Sequence, residues 1–195
     1  MIYNKGEQKK DILLEINTIT VEEEDDEDLL HSLEQLLRAL DEERVEDFEE
    51  QLGSFLEEDE MRNEITLSTE ATIETDPNGN IVISYNENED DGRVAVVSRI
   101  VFDPAEPDLV AMSKEGAIST VLSFESGKTH ICEYKTPYMP FKVYVMCNLV
   151  KNTLLYDGRL KLDYILDINE SNPQHFYVSV RIKEAPEDIL KDFLS

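Results

Sequence analysis

The chain has 195 residues, 41% of them apolar, and a formal net charge of −26, which describes one globular domain with a strongly acidic surface. That charge argues against nucleic acid or an anionic membrane as partners, since both are bound through clustered Lys and Arg. No apolar run approaches the roughly 20 residues that span a bilayer, and the opening "MIYNKGEQKKDILLEI" lacks the uninterrupted apolar core of a signal peptide. With only Cys132 and Cys147, and no C-x-x-C pair, the chain reads as a cytoplasmic protein with reduced thiols.

From Asp11 to Val21, "DILLEINTITV" alternates as a strand does, with Ile12, Leu14 and Ile16 on one face. The period then changes. Leu29, Leu33, Leu36, Leu37 and Leu40, then Val45, Phe48, Leu52, Phe55 and Leu56, recur at helical spacing. Between Glu22 and Glu60 stand 19 acids against Arg38 and Arg44, a net of −17 that leaves −9 for the rest of the chain. A single helix of about 30 residues would be roughly 45 Å long, whereas neighbouring strands lie about 5 Å apart. The spacing therefore predicts an inserted acidic helical hairpin over residues 24–62, broken near Leu40–Glu43.

Strand-like alternation resumes at Asn63. The segments "NEITLSTEATIET", "NIVISYNE", "RVAVVSRIVFD", "DLVAMSK", "STVLSFE", "THICEYKT", "FKVYVMCNLVKNTLLY", "GRLKLDYILDI" and "HFYVSVRIKE" follow in order, separated by turn signals such as "DPNG" at Asp76–Gly79. About ten strands with short turns imply a mainly β fold, an antiparallel up-and-down barrel or a sandwich, and closure would remove exposed edges. "APEDILKDFL", Ala185–Leu194, can form a short terminal helix. The domain organisation is thus one barrel domain over 1–195, with strands at about 11–21 and 63–184 around the insert.

From Asp108 onward, "LVAMSKEGAISTVLSFESGKTHICEYKTPYMPFKVYV" followed by "GRLKLDYILDI" resembles the YwiB-like family of uncharacterised bacterial proteins, through Gly116, Phe124, Gly127, Tyr134, Thr136 and Tyr164. The resemblance covers roughly residues 11–21 and 65–184. It implies a calycin-like, lipocalin-like barrel in the cytosol and no particular activity. The chain departs from the family's pattern at Ser113, where an Arg is usual nearby, and at Met139, where a Gly is.

Signatures of catalysis are missing. His31, His130 and His175 stand at no metal-ligand spacing. "ENEDDG", Glu87–Gly92, begins like a calcium loop but would end on Ser98 rather than a bidentate Glu. Asp163 and Asp167, four apart on a strand, are separated by about 13 Å, too far for joint acid–base work. No cofactor is expected.

Alternation instead turns Leu160, Leu162, Tyr164, Leu166 and Ile168 inward and Arg159, Lys161, Asp163 and Asp167 outward. Cys132, Tyr134 and Thr136 share one face, as do Phe141, Val143, Val145 and Cys147. A turn in the Pro137–Pro140 segment that pairs positions summing to 279 would set Cys132 opposite Cys147.

Two functional readings result. In the first, the chain is a non-enzymatic binding or interaction protein whose hairpin acids, among them Glu34, Glu46, Glu49 and Glu50, meet a basic protein partner. In the second, the barrel interior or mouth holds a small apolar or amphipathic ligand, as carrier or enzyme, with Tyr85, Arg99, Tyr134, Thr136 and Tyr164 as candidate contacts. A homodimer is compatible with either.

Overall fold

The computed structural model describes residues 9–22, 62–88, 95–116, 119–136, 140–168 and 173–184. They form ten strands: β1 (Lys10–Glu22), β2 (Arg62–Thr75), β3 (Ile81–Asn88), β4 (Ala95–Asp103), β5 (Glu106–Glu115), β6 (Ser119–Glu125), β7 (Lys128–Lys135), β8 (Phe141–Asn152), β9 (Arg159–Ile168) and β10 (Pro173–Glu184). Each strand pairs antiparallel with the next, and β10 returns to β1, closing a barrel without free edges.

The expected fold class is corrected. Every element among the described residues is a strand and none is a helix, so the fold described is all-β. The hairpin expected over 24–62 lies outside the described residues except at Arg62, which already opens β2; the terminal helix expected over Ala185–Leu194 lies wholly outside them. Leucine spacing is a pattern argument, and acids at i, i+4 spacing oppose a helix by mutual repulsion. The barrel closes without any insert, since β1 and β2 pair directly from Lys10 opposite Ile73 to Val21 opposite Arg62.

Alternation explains the core. Ile12, Leu14, Ile73, Ile83, Ile100, Val110, Phe124, Val143, Val145, Leu160, Leu162 and Val180 point inward and are buried. One end of the barrel is closed by tight turns. At residues 76–80 the Asp76 carboxylate accepts hydrogen bonds from the Asn78 and Asn80 amides at 2.8 and 2.9 Å, an Asx turn. Between β8 and β9, Leu154 and Leu155 fold into the core, and Gly158 adopts φ +74° where a Cβ would press on Ile182 at 3.3 Å. At the opposite end, called the mouth below, β1, β3, β5, β7 and β9 finish and β2, β4, β6, β8 and β10 begin.

Two irregularities matter for the site. A bulge in β8 between Cys147 and Leu149 reverses the facing of the strand, so that Cys147 and Val150 both point inward. β6 and β7 are registered only at Ser119–Lys135 and Thr120–Tyr134. Below that point the turn at 126–127 bonds to β8 instead: the Gly127 amide donates to the Cys147 carbonyl at 2.8 Å, and the Val150 amide to Ser126 Oγ at 2.7 Å.

The register expected for the cysteines is four residues off. Cys132 faces Val143, and Cys147 faces Lys128, because β8 starts at Phe141 opposite Tyr134 and the turn is centred nearer β7 than the prolines suggested. An even slip preserves facing, so both thiols are still inward, free and buried.

Candidate functional site

The inner wall is graded. Its closed end is aliphatic and aromatic apart from Asn152, which is buried and bonded to the Pro107 carbonyl and the Leu154 amide, but near the mouth one row of directly opposed residues runs across five strands: Tyr85 faces Ser98, Ser98 faces Lys114, Lys114 faces Thr120, and Thr120 faces Tyr134. Opposed side chains sit about 5 Å apart, so four hydroxyls and an ammonium form a continuous polar band. Phe141 continues the row beyond Tyr134, with the two rings stacked at 5.2 Å.

Glu87, one step nearer the mouth on β3, ties the band together. Its Oε1 accepts from Ser98 Oγ at 2.7 Å, and its Oε2 accepts from Lys114 Nζ at 2.7 Å. Ser98 is 1% exposed, so the carboxylate is fixed from the core side, whereas Lys114 closes the pair from the rim with half its side chain in solvent. Burial, and then the Glu87 charge, raise the Tyr85 phenol above its ordinary range. The hydroxyl of Thr120 is buried and has no hydrogen-bond partner. Tyr134 lies directly across from it; burial raises that phenol, and the Thr120 side chain opposes the rise.

Tyr164 sits beneath the band. Its ring packs on Phe124 at 4.7 Å and stacks on Phe176 at 5.2 Å. Burial raises its hydroxyl, followed by Tyr134, Cys147 and Tyr85. Gly116 keeps the rim open to Val96, whose methyl would lie 3.0 Å from an added Cβ.

Of the residues the sequence offered as ligand contacts, Tyr85, Tyr134 and Tyr164 meet inside the barrel, and Thr136 follows β7 at the mouth. Arg99 does not join them: it faces outward and pairs with Glu115 at 2.8 Å. Its neighbour Ser98 is the inward residue, because a shift of one position on a strand changes the face. Ser98, Lys114, Thr120 and Glu87 join the band without having been expected as contacts, although the alternation of "RVAVVSRIVFD" and "STVLSFE" marks Ser98 and Thr120 as inward. Glu34, Glu46, Glu49 and Glu50 lie outside the described residues.

A second polar cluster lies on the outer wall. Asp163 on β9 and His175 on β10 face outward yet are 2% and 4% exposed. His175 Nε2 and Asp163 Oδ1 are 2.5 Å apart. The bulged Asn148 donates to the same oxygen at 3.0 Å, and Tyr177 Oη lies 3.4 Å from His175 Nδ1. Ile19 and Val21, opposite Tyr177 and His175 on β1, are buried beside them. A groove of about 860 Å³ also crosses the outer wall of β1–β4, past Leu13, Thr72, Ser84 and Val97, and Tyr85 of the polar band contributes to its lining. Among the described residues no group of three or more His, Cys, Asp or Glu is placed to hold a metal ion, and no helix is long and apolar enough to cross a membrane.

These features define a small up-and-down antiparallel barrel with a polar band on its inner wall. The chain belongs to the family described as "Domain of unknown function (DUF1934)", whose model matches residues 52–180. Its fold is similar to the crystal structure of ywiB protein from Bacillus subtilis, at 14% sequence identity and a TM-score of 0.54, over 91% of this chain and 94% of that one. The YwiB-like barrel expected from the residues after Asp108 is thereby established. No curated protein matches the chain.

Proposed function

We propose that the protein is a binding protein that takes a small amphipathic ligand into the mouth of its barrel. The row Tyr85–Ser98–Lys114–Thr120–Tyr134 carries this reading. A barrel core needs no such band for stability, and a buried hydroxyl without a partner, as at Thr120, costs about 1–3 kcal/mol. A ligand with an apolar body against Tyr164, Phe176 and Phe141 and a polar head on the band would use both halves of the gradient, as ligand sites combine apolar walls with a few convergent polar groups.

Titration calorimetry with phenylbutanol, an aromatic amphiphile of suitable size, tests the reading. Saturable one-to-one binding that is lost in Thr120→Phe, which fills the mouth, and kept in Ser84→Phe, which fills the outer groove, supports it. Binding that is lost only in Ser84→Phe, with both variants folded, moves the site to the outer wall.

A further inference from the structure

The charged pair in the band indicates which head group the barrel takes, given the lumenal reading above. We propose that the ligand is an amphipathic organic cation, whose protonated amine takes the place of the Lys114 ammonium on Glu87.

The two partners of the pair are held unequally. Glu87 is 24% exposed in its side chain and is anchored from within by Ser98; Lys114 is 52% exposed, on a flexible stem at the end of β5. A ligand entering from the mouth displaces the group that can swing into water, which is the lysine. The position Lys114 vacates lies between Ser98 and Thr120 in the row. An ammonium at that carboxylate has Glu87 Oε2 as its charged acceptor, with Ser98 holding the other oxygen.

An anionic head would meet the opposite situation. It would have to displace the anchored Glu87 or lie beside it as a like charge, and it would approach a protein of net charge −26. That same field concentrates cations at the mouth.

The test is a head-group series on one skeleton: phenylbutylamine, phenylbutanol and phenylbutyric acid, titrated into the wild-type protein at neutral pH. The amine is expected to bind at least about tenfold more tightly than the alcohol, the scale of one charge-assisted hydrogen bond, with the acid weakest. Lys114→Met, which removes the competing ammonium, should tighten the amine further, and Glu87→Gln should abolish the preference for amine over alcohol. An acid that binds as tightly as the amine, or an alcohol that equals it, overturns the cation assignment and leaves the lumenal reading intact. If none of the three binds, the lumenal reading itself fails and the cation assignment with it.

Discussion

His175 Nε2 and Asp163 Oδ1 meet at 2.5 Å on the outside of the barrel, both side chains at most 5% exposed. Polar groups so deeply buried are stabilising only while paired. Removing either partner strands the other, at a cost of about 1–3 kcal/mol. Asp163→Leu and His175→Leu should therefore each lower the denaturation midpoint, and the double variant should lose less than the sum of the two. Additive losses in chemical denaturation would show that the pair carries no coupling.

The inner thiol and phenols make stability fall at alkaline pH. Burial, and then the nearby Asp163 charge, push Cys147 from 9.0 up to about 11, and burial raises Tyr85 and Tyr164 above the phenol's ordinary 10.0. The folded state favours the neutral forms, so their contribution is full below about pH 9, where the unfolded chain is also neutral, and is lost as pH rises through about 11 and beyond. Urea midpoints measured across that range should decline steadily. Cys147→Ala should flatten the first part of the decline. A midpoint independent of pH up to about 11 would contradict these environments.

The short β6–β7 register should be visible in hydrogen exchange. With pairing confined to Ser119–Lys135 and Thr120–Tyr134, the amides of Ile131 and Glu133 rely on β8 alone, and those of Leu122 and Phe124 rely on β5. Half of this ladder should exchange faster than the corresponding positions of β1 and β10, which pair along most of their length. Equal protection in the two places would mean that the seam is closed.

Much of the barrel was legible because strand alternation has a period of two, and burial on one side enforces it. The strand "GRLKLDYILDI" shows both the reach and the limit. Its facing was readable, including Tyr164 inside and Asp163 outside, but the burial of Asp163 was not, because it depends on His175 and Asn148 from two other strands. The band is non-local in the same way. Tyr85, Ser98, Lys114, Thr120 and Tyr134 become neighbours only through four successive registers, and an error in any of them breaks the row. The four-residue error at the β7–β8 turn shows how easily prolines mislead there. Arg99 stands out in the sequence by its charge, while the pleat decides that Ser98 is the side chain facing inward.

Outer and inner polar groups should separate cleanly by mutation. Arg99→Ala breaks an exposed ion pair worth about 0–1 kcal/mol and should leave amphiphile binding unchanged in calorimetry. Ser98→Ala removes the hydroxyl that fixes Glu87 and should weaken binding of phenylbutylamine several-fold. The reverse pattern would place the contacts on the outer wall.

The most direct measurement is tyrosine-ring NMR during titration with phenylbutylamine. Tyr85 and Tyr134 belong to the inner band and Tyr164 lies beneath it, whereas Tyr156 is 74% exposed and Tyr144 faces outward beside Ile131 and Asp167. Occupation of the barrel predicts saturable shifts of the first three ring signals, with Tyr144 and Tyr156 unmoved. Shifts confined to Tyr144 or Tyr156, or none at saturating amine, would contradict a ligand site inside the barrel.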